Sequence, residues 1–302
     1  MKKISNLPTW LLVFCLIGAT TILSCQKENS ISPVATTEND PVEIAATQEA
    51  TTQDAEAEKQ FDDVFNITLS MNSSEVGEDL GVTANVSSLF ELGSTTTSNT
   101  ARCFIITVVP NIPRVFPKTV TIDFGNGCLG RDGKFRKGKI VSIYTAPMIV
   151  PGAKVSTTFI GYDVDSFHIE GTHITENTST LNMQGWKNVV INGKITNSNN
   201  NLWRTWNSVK NVLQVAGNGT PHFPLDDVYK ITGHATGSNS GGHRWTSLIV
   251  EPLIKKFTCP WIVQGTVRLV RDGRTALLDY GSGGCDNQAI IYINGVPHVI
   301  TL

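Results

Sequence analysis

From Cys103 to the C-terminus the chain alternates short runs rich in Val, Ile, Thr and aromatics with Gly, Asn, Asp and Pro turns. Period-two alternation between such breaks predicts strands, and the region holds no helix-period segment of useful length. The expectation is an all-β domain over residues 101–302: a large curved antiparallel meander, sandwich-like or an open barrel. Four runs share one form, Phe167-x-Ile169-x-Gly171, Val189-x-Ile191-x-Gly193, Tyr229-x-Ile231-x-Gly233 and Trp261-x-Val263-x-Gly265. Two large residues and a glycine at alternate positions share a face, which is expected to point inward. His168, Glu170, Asn188, Asn192, Lys230 and Thr232 are then left on the wet side. Glycine inside a strand marks a bulge, a bend or a close approach of backbone, so four of them predict a row along which a long sheet curls. Their intervals of 22, 40 and 32 residues are too irregular for a solenoid. A final strand at residues 298–302 is expected to tie the C-terminus into the sheet.

Upstream the pattern changes. Over residues 53–72, Phe61, Val64, Phe65, Thr68 and Leu69 recur at helical spacing, while Glu56, Glu58, Asp62 and Asp63 face away. This predicts a short N-terminal amphipathic helix packed on the domain, with docking to a partner as the alternative. Residues 72–100 are rich in Ser, Thr, Gly and Asn, and a long loop is expected there, with at most a short strand at residues 82–86. Residues 26–51 are Thr, Ala, Glu, Gln, Ser and Pro with scarcely an aromatic. Such a stretch cannot bury enough apolar area to offset ordering entropy, so residues 25–51 read as a disordered tether. The helix and polar loop occupy residues 52–100.

Residues 1–24 have the grammar of an export signal. Lys2 and Lys3 supply the positive start, residues 10–19 a short apolar core, and small residues lead to Cys25. The apolar run is too short for a spanning helix and is left out of fold reasoning. Leu23-Ser24-Cys25 resembles the bacterial lipoprotein box, in which the cysteine thiol is acylated and becomes the new N-terminus. An ordinary signal peptide with Cys25 free is the alternative. Several acyl chains, palmitate among them, would hold the protein stably at a membrane, each buried CH₂ contributing about 0.8 kcal/mol. Gln26 rather than Asp after the cysteine favours the outer membrane over the inner one. Whether the surface or the periplasmic face is occupied stays open.

Removing residues 1–24 takes away two lysines and no acid, leaving 22 basic against 26 acidic residues, a balance of −4. That charge argues against nucleic acid as a main partner. Among the cysteines left, Cys25 is the lipidation candidate, and Cys103, Cys128, Cys259 and Cys285 form an even set in an exported protein, which reads as disulfides. Four cysteines allow three pairings, but an internal repeat chooses among them. Residues 119–128 read Thr-Val-Thr-Ile-Asp-Phe-Gly-Asn-Gly-Cys, and residues 275–285 read Thr-Ala-Leu-Leu-Asp-Tyr-Gly-Ser-Gly-Gly-Cys. Cys103 precedes Asp123 by 20 residues, and Cys259 precedes Asp279 by 20. The matched spacing predicts two stapled units, Cys103–Cys128 and Cys259–Cys285. Zinc is the rival, but the chain has no Cys-x-x-Cys pair.

Several stretches occur together in a known order: Ile-Asp-Phe-Gly-Asn-Gly-Cys at 122–128, Gly-Lys-Ile at 138–140, Asp-Val-Tyr-Lys-Ile-Thr-Gly at 227–233, Glu-Pro-Leu at 251–253, Cys-Pro-Trp-Ile at 259–262, and Leu-Asp-Tyr-Gly at 278–281 with Cys-Asp-Asn at 285–287. In these the chain resembles a group of uncharacterised Bacteroidota lipoproteins over most of residues 103–302. The resemblance implies an address and an architecture and carries no assigned activity. Residues 198–220 and 237–243 fit it least.

No motif names a reaction or a cofactor. Gly125-x-Gly127-x-x-Gly130 matches the dinucleotide fingerprint in form, but the next residues read as a turn with Arg131, Lys134, Arg136, Lys137 and Lys139, not the required helix. That basic turn is a solvated hairpin tip or a contact for lipid phosphates or acidic glycans. Trp203-Arg204-x-Trp206, next to Asn199, Asn200 and Asn201, is the weak ligand-binding candidate, in a polar loop or strand edge. Exposed Trp with Asn and Arg suits sugar stacking, and tryptophans buried at a sheet edge are the alternative. Asp123 and Asp279 are expected to cap their own turns rather than hold a metal. Six histidines are scattered without catalytic spacing. The leading expectation is a lipid-anchored, non-enzymatic binding or scaffold module for a glycan or an envelope protein. The alternatives are a polysaccharide-acting hydrolase using Asp or Glu on a concave sheet face, and a purely structural lipoprotein. Clustered carboxylates in a cleft would favour the hydrolase.

Overall fold

The computed structural model describes residues 40–69, 103–130, 132–219 and 224–302. The export segment, Cys25, the expected loop at 72–100 with its short strand, and Arg131 lie outside them. The fold is all-β with one long helix. α1 spans Pro41–Leu69. The strands are β1 (Ile105–Val109), β2 (Lys118–Asp123), β3 (Cys128–Leu129), β4 (Phe135–Tyr144), β5 (Lys154–Val164), β6 (Phe167–Asn177) and β7 (Gly185–Asn197). They continue as β8 (Trp203–Ala216), β9 (Val228–Asn239), β10 (Arg244–Lys256), β11 (Ile262–Arg271), β12 (Arg274–Ser282), β13 (Gln288–Ile293) and β14 (Val296–Thr301). All belong to one open antiparallel sheet in chain order, with β3 paired on β4 and with β1 and β14 at the edges. A meander results because successive strands on this path pair as antiparallel neighbours.

The sheet curls because bulges and glycines line up across it. Register shifts fall between Lys137 and Lys139 in β4, between Glu170 and Thr172 in β6, between Val190 and Gly193 in β7, and between Gln264 and Thr266 in β11. Gly171 adopts φ 115°, and a Cβ there would stand 2.7 Å from the Asn192 carbonyl oxygen. At Gly193, Gly233 and Gly265 a Cβ would likewise stand within 2.5 Å of a backbone carbonyl oxygen, so each of the four expected glycines marks a close approach of backbone. One of their strands is read on the wrong face, however. Asn192, at φ 52°, sits in the β7 bulge, and the extra residue exchanges the two sides of the strand. Trp186, Asn188 and Val190 point inward before the bulge, while Ile191 is exposed. Asn188, expected in water, is buried and accepts a hydrogen bond from the Thr175 hydroxyl at 2.9 Å.

α1 lies in the hollow of the curl. Asp40 caps it, its side chain accepting from Val42 N–H at 3.0 Å, with Pro41 at the first helical position and Glu43 in the first turn. At the other end the Tyr144 hydroxyl donates to the Thr68 carbonyl at 2.8 Å. The helix thus begins at Pro41, well inside the stretch expected to be a tether. Those residues have no apolar stripe to announce a helix, and it is the surrounding sheet that gives them partners. No residue of α1 from Ala50 to Phe65 is exposed. Phe61 belongs to a buried cluster with Ile140, Ile169, Ile195 and Trp206, and Ala55 and Phe65 pack with a second around Trp186, Leu253, Leu278 and Ile291. Phe61 stacks on Trp206 with ring centres 5.5 Å apart, and Gly193 leaves the room for that contact.

Cys103–Cys128 and Cys259–Cys285 are bonded as the repeat predicts. Asp123 and Asp279 each accept from a backbone N–H two residues on, Gly125 at 2.9 Å and Gly281 at 2.8 Å. Both therefore cap their turns.

Candidate functional site

The helix carries acids and the sheet answers with bases. Glu43 meets Arg271 and Arg274, Glu56 meets Arg204 at 2.9 Å, and Glu58 meets Lys210 of β8 at 2.6 Å. Asp63 takes both Arg136 of β4 and Lys134 at 2.8 Å, and Arg136 also holds Asp132 at 2.6 Å. Asp54 is an acceptor for two indoles, Trp206 Nε1 at 2.9 Å and Trp245 Nε1 at 3.0 Å. Glu58 and Asp63, expected to face water, are buried. A buried carboxylate is tolerated only with a partner, and here each partner lies far along the chain.

The sequence-predicted sites fare differently. The Trp203–Trp206 stretch is no loop but the start of β8, an interior strand of the sheet. Trp206 is 2% exposed and Arg204 5%, whereas Trp203 is 37% exposed. Arg204 is paired with Glu56 and lies over the Phe167 ring at 5.2 Å. The three residues therefore do not form one accessible platform, because strand alternation sends Trp203 out and the other two in. Trp203 and Arg204 border a shallow polar depression of about 440 Å³ with Gln53 and Asn200, from which Trp206 is absent. The basic turn is not a free patch either. Lys134 and Arg136 are drawn in by Asp63, Lys137 lies 3.6 Å from Asp163, and Lys139 lies 2.7 Å from Asp123.

A cavity of about 740 Å³ opens at the C-terminal end of α1, a volume suited to a small organic ligand. One wall is aromatic: Phe65 and Trp186 meet edge-to-face at 6.1 Å, and Trp186 meets Tyr229 at 6.1 Å. Met148, Val212 and Ile231 add aliphatic surface. Exposed Ile149, Leu181 and Met183, from the hairpin loops after β4 and β6, line its outer part.

Three carboxyl groups border this cavity among its described residues: Asp62, Asp63 and Asp132. Asp63 and Asp132 are committed to Arg136 and Lys134. Burial is the largest influence on Asp132 and works against its charge. The Arg136 hydrogen bond and charge, with the Lys134 N–H and ammonium, together outweigh it and keep the carboxyl below the usual range. Asp62, and Lys255 from β10, stand outside these ion pairs among the described residues. Asp62 keeps some surface toward the cavity but is otherwise packed round by protein. Burial, with the Glu58 charge beside it, pushes its carboxyl up to about 7. Burial pulls the Lys255 ammonium down to about 8, against the attraction of Asp62. Perturbed, uncommitted groups in an apolar cavity are the usual mark of a functional site. The sequence reading placed Asp62 on the helix but missed the cavity, since its walls come from segments scattered between residues 62 and 260. Among the described residues no cluster of His, Cys, Asp and Glu is arranged to hold a metal. Compared with protein-family models, with curated proteins and with solved structures, the chain matches none.

Proposed function

We infer that the protein is an exported, lipid-anchored envelope lipoprotein that acts as a non-enzymatic binding module, with its ligand seated in the cavity at the C-terminal end of α1. The single observation that carries this reading is an apolar cavity of about 740 Å³ that holds an uncommitted charged pair, Asp62 and Lys255, beside an aromatic wall. The address rests on the export segment and Cys25, and the outer membrane on Gln26. A hydrolase of the two-carboxylate kind needs a second free carboxyl group in reach. Among the described lining residues Asp62 is the one acid without an ion-pair partner, which favours binding over hydrolysis. The glycan version loses its support because Trp206 and Arg204 are buried.

The test uses the full mature chain and N-phenyl-1-naphthylamine, an uncharged probe that fluoresces in apolar surroundings. Wild type should bind it saturably, and Ile231→Trp, which adds bulk at the cavity wall, should weaken binding at least tenfold. The variant, destabilised by about 1–3 kcal/mol, should keep the wild-type far-ultraviolet circular dichroism spectrum at the assay temperature. Absence of saturable binding, or equal binding by this variant, would remove the cavity as the seat. Mass spectrometry of the mature N-terminus tests the anchor, for which an unmodified Cys25 is the refuting result.

A further inference from the structure

The cavity sorts its own surface, and the sorting specifies a ligand. Its apolar part runs from the Phe65–Trp186–Tyr229 wall through Met148 to Ile149 and Leu181, and Leu181 is fully exposed. Apolar side chains thus continue from interior to outside, the path that the chain of an amphipath needs to leave water throughout its length. The polar part holds three cationic groups, Lys134, Arg136 and Lys255. Arg136 is saturated by Asp63 and Asp132 and is buried. Lys134 is held by Asp63. Lys255 has the ammonium left to offer, with Asp62 as its electrostatic neighbour.

We propose that the cavity binds a single-chain amphipath with an anionic head, a long-chain carboxylic acid or a molecule of like chemistry, the head on Lys255 and the chain along the aromatic wall toward Leu181. This rests on the cavity being the binding seat and adds the class of ligand. A cationic head would meet Lys255 and Lys134 on the cavity wall, with the Lys59 charge of α1 close behind them, and one uncommitted acid to offset them. A neutral head would leave the Lys255 charge in an apolar site with Asp62 alone as its counter-ion, and Asp62 is largely protonated below about pH 7. An anion supplies that counter-ion, and Asp62 then accommodates it by taking up a proton.

Binding of the acid is therefore linked to pH. Facing the Asp62–Lys255 pair are Glu58 and Lys59 of α1, Lys210 of β8 and Lys134 before β4, and Asp63 lies next to Asp62 on the helix. Glu58 with Lys210 and Asp63 with Lys134 and Arg136 are mutually neutralised. The titrations left are those of Asp62, about 7, and Lys255, about 8. Lys59, which burial also pulls down, loses charge in the same direction as Lys255. Burial holds Tyr280 of β12, which also faces Asp62, well above the usual phenol range. As pH rises, Asp62 gains a negative charge and Lys255 loses its positive one, and both changes repel or release an anion.

The experiment compares a fluorescent anthroyloxy-stearic acid with its methyl ester, below the concentration at which either aggregates, on the full mature chain. The acid should bind at least tenfold more tightly than the ester at pH 6.5. That preference should fall at least tenfold by pH 9, while the ester is unaffected by pH. Lys255→Gln should cost the acid tenfold or more and the ester less than twofold, Lys255→Arg should restore the acid, and Asp62→Asn should tighten the acid severalfold at pH 8. Equal binding of acid and ester, or equal weakening of both by Lys255→Gln, overturns the head-group assignment and leaves the cavity as the seat. Preference for a cationic amphipath overturns it too. Failure of both probes to bind, with Ile231→Trp indistinguishable from wild type, overturns the seat itself.

Discussion

Asp54→Ala is the sharpest test of how α1 is held. Asp54 is 4% exposed, and one of its oxygens accepts from the Trp206 and Trp245 indoles at 2.9 and 3.0 Å. Hydrogen bonds to a charged acceptor contribute roughly 1.5–3 kcal/mol each, and a buried donor left unpaired costs about 1–3 kcal/mol. Alanine strands two indole N–H groups at once, and it also relieves the cost of burying a carboxylate, which offsets part of the loss. The expected net destabilisation is about 2–4 kcal/mol. Asp54→Asn keeps a carbonyl acceptor and should lose about 1 kcal/mol, since the charge alone is removed. The assay is urea unfolding of the full mature chain, monitored by far-ultraviolet circular dichroism and tryptophan emission, with midpoints compared at constant slope. Trp206→Phe made on top of Asp54→Ala should add less than Trp206→Phe made alone, because the two share one bond. An Asp54→Ala midpoint within about 0.5 kcal/mol of wild type, or asparagine as costly as alanine, would refute the reasoning.

The same contacts set further expected outcomes. Glu58→Met should destabilise by about 3–5 kcal/mol because it leaves the buried Lys210 ammonium alone, and the Glu58→Met, Lys210→Met double variant should recover most of that loss in a urea melt. Gly193→Ala should lower stability by more than about 1 kcal/mol, since a Cβ would stand 2.5 Å from the Trp206 carbonyl oxygen and 3.0 Å from Phe61 Cζ; an unchanged melting temperature would contradict this. Burial pulls the His173 imidazole down to about 4, so between pH 6.5 and 4 the unfolded chain takes up a proton that the folded one refuses. Stability should fall with pH across that window by up to about 3 kcal/mol, and thermal melts of His173→Phe should not show this dependence. Asp62 acts in the opposite sense: its carboxyl is raised to about 7, so the unfolded chain sheds its proton first, and stability falls as pH rises toward 7. Melts of Asp62→Asn should show that contribution gone.

How much of this was legible in the sequence depended on distance along the chain. Strand alternation, the turn caps at Asp123 and Asp279 and the paired cysteines are local or repeated patterns, and they were readable. The four strand glycines were readable as close approaches of backbone, but Ile191 was placed on the wrong face because one residue at Asn192 exchanges the sides. The first part of α1, rich in Ala, Thr and Gln, resembles a tether until the sheet is present. Glu58 and Asp63 read as solvated because their partners, Lys210 and Arg136, lie 152 and 73 residues further on. The Trp203–Trp206 stretch looked polar from its asparagine neighbours, and nothing nearby marked it as an interior strand. Asp62 could be named from its helix, but its separation from any partner is a property of the assembled cavity.

The order of the elements bears on how this chain is made. Each strand finds its neighbour next in line, so the sheet can grow hairpin by hairpin, whereas α1, synthesised first, makes its contact from Glu43 to Arg271 across 228 residues. The helix therefore waits until the last strands for its socket to be complete, although its partners in β4 and β8 are made earlier. An oily segment in that position would be an invitation to aggregation. A plug made mainly of carboxylates, threonines and alanines before Phe61, with most of its large apolar residues gathered from Phe61 on, exposes less oil while it waits, and is closed in only when the last strands arrive.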